Sequence, residues 1–405
     1  MDVKGAYLNG TLKEEVYMRQ PEGFEDGTQR VCQLIKTLYG LKQSGREWNI
    51  ELNGRLVKEG FRRLWSDPCA YVRWTQEGIE IITVWVDDLL LFTTTQGLMT
   101  SLKLQLQSMF EVTDLGDPKK IVGIEITRDR AKGTLFIGQT RYIDTILRAQ
   151  GLEGANSVKT PADTKVQMFP DQEREEECNQ NRYASLIGSL MYAAVATRPD
   201  IAFAVNRLGS FTSNQDLRHW MAAKRMLRYL QGTKDYGIMY KAKKGNTTTQ
   251  LFTGYVDASF ANTENQASVT GYVFLAQGGA IVWGSKKQTL IALSTTEAEY
   301  AALARCTREC IWLRKLYAEL GYRQKGPTNI MTDSEGARAL AYNPQFHARM
   351  KHFDISHHYT CEKISQKKIE VCHCSDRYQT ADILTKALPR DKHERHTKEM
   401  GMTPA

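Results

Sequence analysis

Apolar positions along this chain change period several times, and the changes mark out its elements. Over residues 33–64 the apolar side chains Trp48, Leu52 and Leu56 recur at helical spacing between glycine-containing turns, which predicts one long helix. The run Ile79-Glu80-Ile81-Ile82-Thr83-Val84-Trp85-Val86 and the run Leu89-Leu90-Leu91-Phe92 are β-rich and flank Asp87-Asp88. They predict a hairpin carrying two carboxylates at its turn. Helical periodicity returns over residues 98–110, a second hairpin is expected over 121–136 with its turn near 129–133, and a short helix over 141–149.

Residues 160–181 are polar, with Pro161, Pro170 and the acidic run Glu173, Glu175, Glu176 and Glu177, and read as a linker. Two helical patterns follow, over 183–213 and 217–232. The second sets Trp220, Ala223, Met226, Leu227 and Leu230 on one face with Lys224, Arg225 and Arg228 beside it. A lysine-rich stretch at 241–245 reads as a further joint. Strands are then predicted over 252–258, 270–276, 281–285, 329–333 and 369–373. Three consecutive strands followed by alternating helices and strands indicate a mixed sheet covered by helices.

Composition narrows the class. With 405 residues, 41% hydrophobic and 25% charged, the chain can bury a core and divide into two or three domains, which excludes a disordered or fibrous protein. The weakly polar stretch 184–196 contains Ser, Gly and Tyr and is too short for a bilayer span. Met1-Asp2-Val3-Lys4 lacks the apolar core of a signal peptide. The expectation is a soluble protein that does not engage a membrane. Lys and Arg total 54 against 46 Asp and Glu, a formal charge of +8 that favours a polyanionic partner. Eight cysteines without regular spacing point to a reducing compartment. Because strand and turn character begins at the first residues, an upstream part of the first domain is expected to be missing.

Asp87 and Asp88 admit two readings, an Asp-Asp turn or a pair of metal ligands, since adjacent carboxylates at an apolar hairpin tip repel without cations. Asp2, beside a short strand-like step, adds the third acid that a two-metal phosphoryl-transfer site requires. A second group of acids lies in the C-terminal third. Ser294-Thr295-Thr296-Glu297 is a capping box, which accounts for Glu297 without chemistry. Glu299 falls at the head of the helical face Glu299, Leu303, Cys306, Cys310, Leu313, Leu320 and needs a partner in the core, which a shared metal would supply. Asp257 lies in a predicted strand, Asp333 ends another, and Asp382 is expected to begin the last helix, where it could equally be a helix-dipole residue. Cys361, Cys372, His373 and Cys374 with His357 and His358 fit no usual zinc spacing, and Cys372 and Cys374 should share one strand face.

Three phrases, Asp2-Val3-Lys4-Gly5-Ala6-Tyr7-Leu8-Asn9-Gly10, Leu38-Tyr39-Gly40-Leu41-Lys42-Gln43-Ser44-Gly45-Arg46-Glu47-Trp48 and Val86-Asp87-Asp88-Leu89, resemble the reverse transcriptase of copia-type LTR retrotransposons. Trp85 stands where Tyr is usual, and Gly45 where Pro is common. The resemblance implies that Asp2, Asp87 and Asp88 are the catalytic acids of a polymerase palm. It further implies that Tyr7 screens out a ribose 2′-hydroxyl, and that Lys42 and Gln43 belong to the motif contacting template and incoming nucleotide. Leu293-Ser294-Thr295-Thr296-Glu297-Ala298-Glu299-Tyr300 and Ala381-Asp382-Ile383-Leu384-Thr385-Lys386 resemble the ribonuclease H of the same elements. They imply that Asp257, Glu299, Asp333 and Asp382 bind metal and carry the cleavage. Thr197-Arg198-Pro199-Asp200-Ile201-Ala202-Phe203-Ala204-Val205 and Lys224-Arg225-Met226-Leu227-Arg228-Tyr229-Leu230-Gln231-Gly232-Thr233 match the joining segment.

The implied architecture is an α+β polymerase palm and thumb fragment, a helical connection, and an α/β ribonuclease H-like domain with a mixed five-stranded sheet. Its parts are the palm at 1–115 without fingers, a thumb-like region and linker at 116–170, the connection at 171–250 and the nuclease at 251–405. Residues 249–405 are expected to fold alone. The implied cofactor is Mg²⁺, two ions per active site, with Mn²⁺ as a substitute. Implied partners are an RNA template, a DNA primer, an RNA–DNA hybrid and deoxynucleoside triphosphates, in cytoplasmic particles with the nucleus as a further location. The expected function is RNA-directed DNA polymerase with ribonuclease H, the polymerase half impaired by truncation; the rival is a silent element remnant that only binds nucleic acid.

Overall fold

A computed structural model of the protein describes residues 1–165, 180–242, 250–263, 266–289, 291–343 and 354–405. Most of the expected linker and of the lysine-rich joint lies outside these residues. The chain divides into two compact units: Met1–Pro118 with Lys315–Arg323, and Lys119–Arg314 with Gln324–Ala405. Among the described residues no helix is long and apolar enough to cross a membrane, and the seven described cysteines are free thiols.

The first unit is built on a six-stranded sheet in the order Arg62–Arg63, Ala70–Thr75, Gly78–Trp85, Asp88–Thr93, Asp2–Val3, Val112–Thr113, antiparallel throughout. Two helices, Ser44–Lys58 and Gln96–Met109, bury Trp48, Leu52, Leu56, Leu102 and Leu106 with Val3, Tyr71, Ile82 and Leu89 in one core. Full burial of each such side chain contributes ~1.5–3 kcal/mol.

The helix expected over 33–64 is only Ser44–Lys58. Gly40 at φ +96° precedes it, and the chain leaves it through Gly60 at φ +86°. There the Gly60 N–H donates to Val57 O and the Phe61 N–H to Leu56 O, closing a Schellman turn that satisfies the last carbonyls. Arg73 and Glu80 pair across neighbouring strands. Burial of Glu80 is tolerated because Arg73 stacks on Phe61 and also donates to the Glu59 carbonyl and to Gln105.

The second unit holds two five-stranded sheets. One is antiparallel, in the order Met402–Pro404, Tyr236–Lys241, Thr134–Gly138, Ile124–Asp129, Lys120–Ile121. The other is mixed: Gly279–Lys287, Val269–Ala276 and Thr253–Ser259 are antiparallel, and Thr328–Thr332 and Ile369–His373 continue from Thr253–Ser259 in parallel.

The helix expected over 183–213 is broken into Gln180–Ala196 and Ala202–Gly209. Pro199 has no N–H to donate and keeps Arg198 out of helical geometry, at φ −122° and ψ 66°. Helix Leu217–Gln231 begins with a capping box between Asp216 and His219. These helices and Thr140–Ala149 share a single core with Ile238, Val273, Ala280, Ile383, Leu384, Leu388, Met400 and Met402. That shared core, and the pairing of Met402–Pro404 with Tyr236–Lys241, tie residues 249–405 to the segments before them.

Arg198 has no exposed surface and forks onto Asp200, with Nε 2.9 Å from Oδ1 and Nη2 2.7 Å from Oδ2. It also donates to the carbonyl and hydroxyl of Thr233, and Tyr229 donates its hydroxyl to Asp200 at 2.7 Å. The His393 ring, from helix Arg390–Glu399, lies edge-on to Tyr229 with Nε2 3.3 Å from the Asp200 carbonyl oxygen. Burial, the largest single influence, would lower the guanidinium and raise the carboxyl, but the partner's charge and the hydrogen bonds within the cluster together outweigh it, leaving Arg198 raised and Asp200 lowered.

Candidate active sites

In the first unit, strand pairing sets Asp2 directly across from Asp88, and the Val3 N–H donates to the Asp87 carbonyl at 2.8 Å. Trp85 and Asp88 close the hairpin, leaving Val86 and Asp87 as its tip. Val86 sits at φ +55°, a conformation costing a β-branched residue on the order of 1–3 kcal/mol. Its carbonyl is held by the Trp48 indole N–H at 2.7 Å, so the core helix fixes the acid-bearing turn. The Asp88 carboxyl is raised, first by burial and then by the charges of Asp87 and Asp2. Tyr7, on the turn Ala6–Asn9, packs its ring 4.8 Å from that of Tyr39. Gln43 caps helix Ser44–Lys58 without a side-chain bond to it, and Lys42 is exposed.

In the second unit the acids meet. Asp257 lies within the central strand Thr253–Ser259, and Asp333 follows the parallel strand Thr328–Thr332 beside it. Asp382 lies in a 3-10 turn, Thr380–Leu384, whose residues are all buried; the last helix is Arg390–Glu399, which corrects the expectation that Asp382 begins it. Asp257, Asp333 and Asp382 bring carboxylate oxygens within 4.8 Å of one another, the one such metal-capable group among the described residues. Asp2, Asp87 and Asp88 do not form a group that tight.

Gly271, opposite Asp257 across the antiparallel ladder, makes the convergence possible. A Cβ there would lie 2.6 Å from Thr385 Cγ2 and 3.0 Å from the Ala381 carbonyl oxygen, so only glycine admits this segment against the sheet. Gln379, fully buried, donates to the Val256 carbonyl at 2.9 Å and hydrogen-bonds Asp333. Thr385 donates its hydroxyl to Asp257. Lys386 is ion-paired with Asp382 at 2.9 Å.

Glu299, in helix Thr295–Glu319, is buried, accepts from the Ala258 N–H, and has its Oε2 without a hydrogen-bond partner. Burial, then the Asp257 and Asp333 charges, push its carboxyl up to about 9. Burial pushes Asp257 up to about 6 against the opposing pull of Lys386. Asp333 and Asp382 are raised too, chiefly by burial. Hard oxygen donors that cannot all ionise without more positive charge suit a divalent cation.

Glu297 behaves as a cap: the Ser294 hydroxyl accepts its N–H at 3.2 Å, and its carboxylate accepts the Leu293 N–H at 2.7 Å. His373 lies on strand Ile369–His373 with Nδ1 3.3 Å from Glu335. Cys361 donates to the Ala341 carbonyl at 3.3 Å; the side chains of His357 and His358 lie outside the described residues. Sequence reasoning gave no role to Gly271, Gln379, Thr385 or Lys386. Thr385 and Lys386 stand in the same phrase as Asp382, and that adjacency was the available signal.

Residues 1–164 match the family model described as reverse transcriptase (RNA-dependent DNA polymerase). The chain is 39% identical over 411 residues to the retrovirus-related Pol polyprotein from transposon TNT 1-94 of Nicotiana tabacum, covering 99% of this chain. It is 32% identical over 314 residues to the putative transposon Ty5-1 protein YCL074W of Saccharomyces cerevisiae, covering 76% of this chain and all of that protein. This chain belongs to the Pol polyprotein family of copia-type transposons. It spans 30% of the length of the tobacco Pol polyprotein. Among solved structures it is similar to the N-terminal RNase H domain of rv2228c from Mycobacterium tuberculosis, solved as a fusion with maltose binding protein. That similarity covers 36% of this chain and 96% of that one at 13% identity, with a TM-score of 0.24.

Proposed function

We propose that this Pol segment is an RNA-directed DNA polymerase and ribonuclease H that acts on RNA–DNA substrates by two-metal phosphoryl transfer, with a palm at 1–115, a thumb-like region at 116–170, a connection at 171–250 and a nuclease at 251–405. The observation that carries the nuclease reading is the convergence of the buried Asp257 and Asp382 with the half-buried Asp333, with the unpartnered Glu299 oxygen nearby. Asp257, Glu299, Asp333 and Asp382 would hold Mg²⁺ or Mn²⁺, which supplies a nucleophilic water at neutral pH and stabilises the leaving 3′-oxygen. The central strand and the segment packed over Gly271 fix two of these acids before substrate arrives, so little reorganisation is left for the reaction.

The polymerase reading rests on the pairing of Asp2 with Asp88 and on Asp87 at the fixed turn. In it these acids hold the metal, Tyr7 screens the sugar of the incoming deoxynucleoside triphosphate, and Lys42 and Gln43 line the template side. The test uses the intact chain on a labelled RNA–DNA hybrid. Cleavage of the RNA strand is expected with Mg²⁺ or Mn²⁺, and Asp257→Asn should lower it at least ~100-fold. A folded chain that leaves the hybrid whole in both metals would establish the silent remnant instead. Extension of a DNA primer, lost in Asp87→Asn, is the matching assay for the first unit.

A further inference from the structure

The ammonium group of Lys386 lies inside the acid cluster. Its Nζ is 2.9 Å from Asp382 Oδ1 and 3.8 Å from Asp257 Oδ2, so it bridges two of the three converging carboxylates. The lysine is carried there by its own backbone. Its N–H donates to the Asp382 carbonyl at 3.3 Å, and the preceding Thr385 donates its hydroxyl to Asp257 while its oxygen lies 3.1 Å from the Asp382 carbonyl oxygen. Lys392 is the other cation nearby, but it stands 3.9 Å from Asp382 Oδ2 and is engaged at 2.8 Å by Asp376. One charge of +1 among three carboxylates leaves the cluster under-neutralised, and a cation liganded by Asp257 and Asp382 would need the space this ammonium fills.

We infer that Lys386 is a resident counter-ion: its ammonium stands in for a divalent cation, and metal loading requires it to leave. The inference rests on reading the acid cluster as a metal centre. The side chain is 38% exposed, so its four-carbon stem can carry the charge outward without opening the core. While it stays, the metal-free cluster is stabilised and the first cation binds against a competitor. Lys386 thereby acts as a positioning residue that sets how much free metal the site demands.

The test is Mn²⁺ titration of the intact chain, followed by the electron paramagnetic resonance of free Mn²⁺, with Asp257→Asn as the blank for ions bound elsewhere. Lys386→Gln should lower the Mn²⁺ concentration for half-saturation by roughly three- to tenfold, while Lys386→Arg, which keeps the charge, should not lower it. Thermal unfolding is the second readout. Lys386→Gln should melt earlier than the parent without metal and level with it in saturating Mn²⁺. If the variant is unfolded without metal, Mn²⁺ should restore it. Unchanged or weaker Mn²⁺ binding by Lys386→Gln, or failure of Mn²⁺ to rescue it, overturns the counter-ion role. A parent chain that binds no more Mn²⁺ than Asp257→Asn would overturn the metal-centre reading itself, an outcome separate from the first.

Discussion

Two clusters of charge are buried in the second unit, and they are balanced differently. Around Arg198, one cation meets one anion; both Asp200 oxygens accept from the guanidinium, and Tyr229 and Thr233 take up what remains. Around Asp257, three aspartates and Glu299 face the Lys386 ammonium at 2.9 Å from Asp382 and, farther off at 3.9 Å, a Lys392 already engaged by Asp376, and an oxygen of Glu299 is left over. The first cluster is closed and needs nothing from outside. The second is incomplete as it stands, and its deficit has the sign of a cation. Burial alone distinguishes neither; the count of charges and of satisfied lone pairs separates a structural tie from a site.

Breaking the balanced cluster should have the largest effect on stability. Asp200→Ala leaves Arg198 buried without its counter-charge and should cost ~3–5 kcal/mol in urea unfolding of the intact chain. Removing both charges in Arg198→Met/Asp200→Leu should cost roughly half as much or less. Equal losses would mean that the pair is not held by mutual compensation.

The two clusters should also respond to pH with opposite sign. Asp200 is lowered, so the stability it gives is present above its ordinary 3.8 and is lost as pH falls through its folded value. Glu299 moves from 4.5 to about 9, so the folded chain holds a proton that the unfolded chain has released. Metal-free stability should therefore fall as pH rises across that window. Glu299→Gln should flatten this slope and be more stable than the parent at pH 8 by on the order of 2–4 kcal/mol. A parent chain whose metal-free stability is level between pH 5 and 9 would remove the distinction.

Gly271→Ala tests whether the incomplete cluster depends on close approach. Displacing the segment at 381–385 should cost ~1–3 kcal/mol by thermal unfolding and weaken Mn²⁺ binding in parallel. The smallest effect is expected at Glu297→Gln, where a glutamine still accepts the Leu293 N–H. Stability should stay within about 0.5 kcal/mol and hybrid cleavage should be unchanged. Loss of cleavage there, with Glu299→Gln active, would shift the acid assignment on this helix by two residues.

The sequence signalled those elements whose cause is local. The hairpin around Asp87-Asp88 alternates and turns as its residues require, and Glu297 caps its helix because Ser294 stands three residues before it. The break at Pro199 was legible in principle, since proline acts on its immediate neighbours, yet the apolar period on both sides masked it. Gly271 and Lys386 belong to another class. Gly271 acquires its role from residues 381–385, distant in the chain, and Lys386, though its spacing from Asp382 is local, reaches Asp257 only through the fold; no spacing along one helix or strand reports either long-range meeting. Strand Met402–Pro404 is too short to show a period of two, and only its partner defines it.

That three-residue strand bears on how the second unit comes together in time. Its partner Tyr236–Lys241 lies on the far side of the entire mixed sheet in the chain, so the loop closed by their pairing contains all five of that sheet's strands. Closing so long a loop yields few backbone bonds for the entropy lost, and the pairing becomes favourable only once the intervening segment is compact. Loop-closure entropy therefore favours completing the antiparallel sheet late, after the mixed sheet has condensed, and a chain caught before that step would present Tyr236–Lys241 as an open edge to its neighbours.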